Sequence, residues 1–326
     1  MTVGRRAVAA KGWLRANKWL LLRRTSQFSI IGLFLLGPWA GIWLAKGNLA
    51  SSLILDTVPL TDPLIALQSW ASGYMPETTA LVGVVIVTLA YMLVGGRVYC
   101  SWVCPINIIT DTSHWLRRRM GFKRSLQLNR SARGWVLVTA IVMSALTGTI
   151  AWEFINPITM LIRGLLYGLG LAWVLVLAVF LFDLFIKHRG WCGYLCPVGK
   201  FYGLLGRFSV VRVSAKKRHL CDECGDCFVT CPEPHVISPA LYGAKSGVGP
   251  VILSEDCTNC GRCIDNCHLD VFVVSTRFHN ALPPIVHTGI QRGSAIGTVL
   301  GTLDKEEDWE IASTVEMNGG NKCDNH

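Results

Sequence analysis

Charge is scarce in this chain of 326 residues: Asp, Glu, Lys and Arg together make up 16% of it, against about a quarter in ordinary soluble domains. With 51% hydrophobic residues, that shortage excludes a polar, solvated chain and makes a membrane protein the first class to consider. No Gly-x-Gly-x-x-Gly opens a helix and no Walker loop is present, so neither a nicotinamide site nor ATP hydrolysis is supported. Histidine is sparse and poorly placed for haem. His114, His188, His219, His235, His268, His279, His287 and His326 all fall outside the long apolar runs, which excludes a haem held between facing membrane helices. Acidic residues number 21 against 31 basic ones, a formal net charge of +10. The excess Lys and Arg flank apolar segments instead of forming one basic face, so the charge reads as topology and gives no nucleic-acid surface.

Four apolar runs, roughly 27 to 45, 80 to 96, 135 to 151 and 168 to 186, approach the ~20 residues needed to cross a bilayer. Arg5, Arg6, Lys11, Arg15, Lys18, Arg23 and Arg24 precede the first, and Arg97, Arg117, Arg118, Arg119, Lys123, Arg124, Arg130 and Arg133 lie between the second and third. By the positive-inside rule these segments and the C-terminus face the cytoplasm. The expectation is an α-helical protein of the bacterial inner membrane with four transmembrane helices, both termini cytoplasmic and the lipid bilayer as a partner. Trp39, Trp43, Trp70, Trp152 and Trp191 read mainly as its aromatic belt. Arg5-Arg6 also suggests a twin-arginine export signal, set aside because no small-x-small cleavage site follows.

The apolar half is duplicated at a shift of 92 to 94 residues: RVYCSWVCP (97 to 105) returns as RGWCGYLCP (189 to 197), and DPLIAL (62 to 67) as NPITML (156 to 161). Both halves start on the same side, a parallel repeat whose pseudo-two-fold brings corresponding parts together. The expected organisation is a basic leader (1 to 26), a four-helix membrane domain (27 to 206), a two-cluster ferredoxin-like α+β module (207 to 279) and a disordered tail (280 to 326).

Of 13 cysteines, twelve fall in four tight groups and only Cys323 is left over. The strongest signal is Cys221-x2-Cys224-x2-Cys227-x3-Cys231-Pro232 followed by Cys257-x2-Cys260-x2-Cys263-x3-Cys267. In two-cluster ferredoxins the fourth cysteine of each run crosses to the other cluster. One 4Fe-4S cluster is therefore assigned to Cys221, Cys224, Cys227 and Cys267, and the second to Cys257, Cys260, Cys263 and Cys231. A pair of zinc sites is the alternative, but zinc does not require this thrice-spaced run. His268 stands where the second motif usually has proline, next to a ligand and able to alter its surroundings. Cys100, Cys104, Cys192 and Cys196 form two Cys-x3-Cys-Pro motifs. If the pseudo-symmetry gathers them, a further iron-sulfur centre or a redox-active dithiol is open to them; otherwise they pack as small hydrophobes.

Three charged residues are candidates for a quinone or proton site: Asp183 inside the fourth run, with an ordinary pairing to Lys187 as the alternative, and Glu153 and Arg163, which bracket Pro157 and could bind a quinone carbonyl or hydroxyl. From residue 11 to about 280 the chain resembles the NapH family, in the leader KGWLRANKWLLLRR, the stretch SSLILDTVPLTDPL, both Cys-x3-Cys-Pro motifs, SALTG, INP and CFVTCPEPHV. The resemblance implies the ferredoxin-type membrane subunit of a quinol dehydrogenase that takes electrons from quinol toward a periplasmic iron-sulfur partner, a c-type cytochrome and nitrate reductase. An electron-transfer subunit with no chemistry of its own beyond co-catalysis is the expected role. A redox-sensing or assembly factor serving maturation of a metalloenzyme is the alternative.

Overall fold

The computed structural model describes residues 3–122, 126, 128–168 and 170–278; the expected disordered tail and Cys323 lie outside them. Each half of the duplication opens its inner helix in the same way. Asp62 is the N-cap of α4 (Pro63–Ala71) and accepts the Leu64 N–H at 2.8 Å, and Asn156 is the N-cap of α8 (Pro157–Tyr167) and accepts the Ile158 N–H at 3.1 Å. Proline at the first helical position costs nothing there, because its missing N–H would be unpaired anyway. Each half also ends in a π turn, Tyr99–Val103 and Trp191–Leu195, closed by the Cys104 N–H to Tyr99 O and the Cys196 N–H to Trp191 O, both 2.9 Å. The prolines that follow hold Cys104 and Cys196 extended, at ψ 120° and 112°. They then start α6 (Ile106–Arg119) and α10 (Pro197–Gly206).

Ahead of the first half run α1 (Arg5–Lys11), α2 (Trp13–Ala16) and α3 (Lys18–Ala40), then an antiparallel meander of β1 (Ala45–Gly47), β2 (Ser51–Ile54) and β3 (Val58–Thr61). The long helices of the two halves are α5 (Thr78–Val94), α7 (Ala132–Thr147) and α9 (Gly170–Leu181). Beyond α10 lies the ferredoxin-like α+β module: β4 (Val211–Ser214), α11 (Asp226–Thr230), α12 (Ile237–Tyr242), α13 (Arg262–Asn266) and β5 (Val273–Thr276), with β4 and β5 antiparallel. The residues expected as a leader are docked on this module. The Gly4 N–H donates to Asp226. Asp265 of α13 receives the Trp19 and Leu20 N–H groups at 3.0 Å each, so it caps the first turn of α3, whose own N-cap Asn17 makes no side-chain cap.

Four transmembrane helices are not what the fold contains. Among the described residues only α3, with 23 residues, is long and apolar enough to cross a membrane. α5 has 17 residues, α7 16 and α9 12, and 17 residues of helix span only ~26 Å against a hydrocarbon core of ~30 Å. Gly95 at φ 135° ends α5, Gly148 in the left-handed region ends α7, and α9 passes into a third π turn, Phe182–Ile186. A hydropathy window counts apolar residues and is blind to these breaks. It also counts Leu137, Ala140, Val176 and Val179, which fill the protein's own core. A four-span inner-membrane topology with both termini assigned to the cytoplasm is thus unsupported. The aromatic belt is corrected with it: Trp39, Trp43 and Trp70 are exposed, but Trp152 is buried and stacks on Trp191 with ring centroids 6.4 Å apart.

The two halves touch where α10 crosses the end of α5. A Cβ added at Gly96 would lie 1.8 Å from Tyr202 O and 2.4 Å from Gly206 N, atoms of backbone that cannot rotate away. Gly96→Ala should therefore lower the thermal midpoint by the equivalent of at least ~1–3 kcal/mol of overpacking. Gly134→Ala, inside α7 where nothing lies within 4 Å, should leave it unlowered or raise it slightly, since alanine favours helix over glycine. Equal midpoints for the two variants in a melting experiment would refute the crossing.

Candidate iron-sulfur sites

The two ferredoxin loops are built by one backbone device used twice. Glu223 and Asn259, each just before the second cysteine, have φ 60° and 47°, and Gly225 and Gly261, each just after it, have φ 76° and 71°. This left-handed pair turns each loop so that its three thiols face inward, and glycine removes the Cβ penalty at the second position. Cys231 and Cys267 then end α11 and α13 in extended conformation. The result is two hollows. Cys221, Cys224, Cys227 and Cys267 line one with Phe228, Leu241 and Phe272. Cys231, Cys257, Cys260 and Cys263 line the other with Val213, Ile237 and Ile252. Burial pushes the Cys224 and Cys257 thiols up to about 11 each, so these pockets favour protonated sulfur until a metal takes the proton's place. At the rim of the first hollow, ligand atoms of Asp222, Cys224 and His268 lie within 4.8 Å of one another, a further possible metal-ligand group.

The two Cys-x3-Cys-Pro motifs meet. Cys104 and Cys196 are in one buried core with Cys100 packed against it, and the Cys192 Sγ lies 3.8 Å from Thr110 Oγ1. The start of α10 packs against both motifs, since the position of a Cβ at Gly199 is at ordinary contact distance from Cys100 Sγ (3.9 Å) and Cys192 O (3.5 Å). Burial raises the Cys100 thiol, while the Arg97 guanidinium works against it by charge and hydrogen bond.

Arg97, from the same motif as Cys100, joins this thiol group to the ferredoxin module. Its Nη1 donates to Glu233 Oε1 at 3.1 Å and to Asp256 O at 2.8 Å, and its Nη2 donates to Cys192 O at 3.5 Å. Arg133 bonds the Glu233 and Asp256 carboxylates, and His235 Nε2 lies 3.1 Å from Asp256 Oδ2. Burial acts to raise the Asp256 carboxyl, but the His235 hydrogen bond and the charges of Arg133 and Arg97 outweigh it and hold the group well below the usual carboxylate range. The matching arginine of the second repeat, Arg189, turns to Asp111 at 3.1 Å, where Arg23 and Arg24 also arrive at 2.5 and 2.6 Å.

The three charged candidates for a quinone or proton site do not form one group. Glu153 pairs with Arg163 at 3.3 Å and accepts from Asn156. Asp183, in the π turn Phe182–Ile186, is buried and accepts the Trp191 N–H at 2.9 Å, next to Cys192. Sequence reading missed Arg97, Arg133, Glu233, Asp256 and Asp111 as site residues. The Arg-x-aromatic-Cys repeat was the one available signal, because an arginine repeated beside a repeated cysteine has a fixed geometric relation to it.

Two domain families match the chain: the 4Fe-4S binding domain at residues 77–123 and again at 169–218, and the 4Fe-4S dicluster domain at 220–271. Methylamine utilization ferredoxin-type protein MauN of Paracoccus denitrificans is 56% identical over 83% of this chain and 95% of its own length. Ferredoxin-type protein NapH of Escherichia coli is 51% identical over 84% and 95%, and MauN of Methylorubrum extorquens 53% over 85% and 95%. The chain belongs to the NapH/MauN family of ferredoxin-type 4Fe-4S proteins. No solved structure matches it. The resemblance to NapH in particular widens accordingly, since the MauN relatives match as strongly. As a member of the NapH/MauN family it is an electron-carrying, non-catalytic protein, and the Cys-x3-Cys-Pro motif of each repeat falls within the repeated 4Fe-4S binding domain.

Asp111 holds three guanidiniums, with burial raising its carboxyl and Arg189, Arg23 and Arg24 lowering it further. A folded-state value below the ordinary one of about 4 gives stability that is complete above that value and is lost as pH falls through the lowered one. Asp111→Asn should remove it already at neutral pH, costing about 3–5 kcal/mol because buried arginines are left uncompensated. Chemical denaturation at neutral pH checks this, and a loss below ~1 kcal/mol would mean that solvent already screens the group.

Proposed function

We propose that this NapH/MauN-family protein is the electron-transfer subunit of a quinol dehydrogenase, passing single electrons from quinol through 4Fe-4S clusters toward a periplasmic reductase system. The observation that carries the reading is the adjacency of three thiol groups. The four Cys-x3-Cys-Pro thiols are tied by Arg97 to the loop bearing Cys257, and that hollow shares the module with the Cys221 hollow. Cys221, Cys224, Cys227 and Cys267 hold one cluster, Cys257, Cys260, Cys263 and Cys231 the other, and Cys100, Cys104, Cys192 and Cys196 a third centre. Such clusters supply one-electron chemistry when bound. The chain's own residues enclose them in apolar walls and, through Arg97 and Arg133, offset the negative charge of thiolate ligands.

Quinol is lipid-soluble, and the apolar side chains left exposed on α3, α5 and α7, among them Phe28, Leu89, Trp135 and Leu146, suit contact with lipid. The nitrate reductase system with its periplasmic iron-sulfur subunit and c-type cytochrome is the partner favoured by the resemblance to NapH. The strength of the MauN matches favours a second setting for the same electron transfer, methylamine utilization. A strain lacking the gene decides between them: loss of quinol-dependent nitrate reduction with normal growth on methylamine supports the first, and the converse supports the second.

Anaerobically purified protein should hold about eight iron and eight sulfide for the two ferredoxin runs and about twelve of each with the third centre. Cys231→Ala should remove the magnetic-resonance signal of the cluster held by Cys257, Cys260 and Cys263 and spare the other. Loss confined to the Cys221 cluster would overturn the crossed assignment.

A further inference from the structure

The duplication places Asp62 and Asn156 at the same point of the two halves, each capping a helix that begins with proline. Asn156 shows that this cap needs no charge. Asp62 nevertheless carries a carboxyl group, is buried, and makes no ion pair among the described residues. The groups that face it are Tyr202 of α10, Tyr91 of α5, Tyr99 of the first π turn and the like-charged Glu153. Of these, Tyr202 favours the charged form of the Asp62 carboxyl and Glu153 disfavours it. Tyr202 stacks on Tyr99 at 4.7 Å and 9°, with Tyr91 edge-on to both at 5.0 and 5.9 Å. These rings share their core with Cys100, Cys104 and Cys196, so they form a packed path from the carboxyl to the thiols.

A buried carboxylate without a counter-ion is costly, and burial pushes Asp62 up to about 6 against the opposing hydrogen bonds of Leu64, Tyr202 and Ile65. Near neutral pH the group therefore sits close to its proton-binding midpoint, where one added negative charge nearby tips it to the acid form. The duplicated partner of Tyr202 is Thr110 of α6, which instead approaches Cys192, so the symmetry-related pair Asn156 and Thr110 has neither the carboxyl nor the phenol.

We propose that Asp62, with Tyr202 facing it, is a proton-binding site coupled to the centre at Cys100, Cys104, Cys192 and Cys196. When that centre gains an electron the Asp62 carboxylate takes up one proton, and it returns the proton when the electron leaves. A hydroquinone donor releases one proton for each electron, so the uptake balances. The inference rests on the reading of these four cysteines as a redox centre.

The test is redox potentiometry of the anaerobically purified, cluster-loaded protein at a series of pH values, with iron and sulfide assays and infrared difference spectra on reduction. In the wild type the midpoint of the third centre should fall by about 59 mV for each tenfold drop in proton concentration above pH ~6, and a carboxylic acid C=O band should grow on reduction. Asp62→Asn keeps the cap, as Asn156 does, and should abolish both the slope and the band while leaving the two ferredoxin midpoints in place. Tyr202→Phe should keep the band and shift its frequency. An unchanged slope in Asp62→Asn, with about twelve iron present, would overturn the coupling and leave the redox reading standing. About eight iron and no third redox transition would overturn the redox reading and the coupling with it.

Discussion

The arrangement depends on a backbone crossing that only glycine permits. Gly96 meets Gly206 and Tyr202 O at distances that exclude any Cβ, and the next residue is Arg97. Because the crossing fixes the start of the π turn Tyr99–Val103, it also fixes where the Arg97 side chain leaves the backbone. That side chain reaches Glu233, Asp256 O and Cys192 O together, which lie in the ferredoxin module and the second repeat. A bulkier residue at 96 would separate α10 from α5 and withdraw the arginine from all three partners.

Charge is rare in this chain, yet eight charged residues are gathered at two buried nodes. At one, Arg97 and Arg133 meet Glu233 and Asp256 with His235 beside them; at the other, Arg23, Arg24 and Arg189 converge on Asp111. Ion pairs removed from water gain little net stability over apolar packing, but breaking one leaves an expensive unpaired charge. Their use here is in register. The first node joins the repeat to the module, and the second ties α3 to the start of the second repeat's cysteine motif. The second node carries more positive than negative charge, which a group of metal-bound thiolates nearby would offset.

Much of the chemistry was legible in the sequence because ligand spacing is a local property. The three-residue steps of Cys221 to Cys227 and Cys257 to Cys263 fix a loop shape, and the repeated RVYCSWVCP and RGWCGYLCP fix identical π turns wherever the chain places them. Architecture was less legible because it depends on where helices stop. The run read as 80 to 96 stops at Gly95, and the run read as 168 to 186 changes to a π turn at Phe182; neither break alters hydropathy. Trp152 and Trp191 show the same limit, since an aromatic near a predicted interface has the same composition whether it faces lipid or stacks in a core. The arginine nodes were illegible for another reason: Arg97 and Glu233 are 136 residues apart, and no local pattern announces such a pair.

The differences between the two repeats are as informative as their likeness. At a shift of 92, Tyr91 corresponds to Asp183, Tyr99 to Trp191 and Thr110 to Tyr202, so the ring stack is assembled from α5, the first π turn and α10 and has no counterpart across the pseudo-axis. Two buried carboxyls, Asp62 at a helix start and Asp183 in a π turn beside Trp191, have no acidic counterpart across the pseudo-axis, where Asn156 and Tyr91 stand. The cysteines, their prolines and the π turns are alike in the two halves, as the proposed third centre would require, because four ligands around one point demand equivalent geometry from both. The acid groups need no such match under the proposed coupling, because a proton, unlike a cluster, needs a path on one side only.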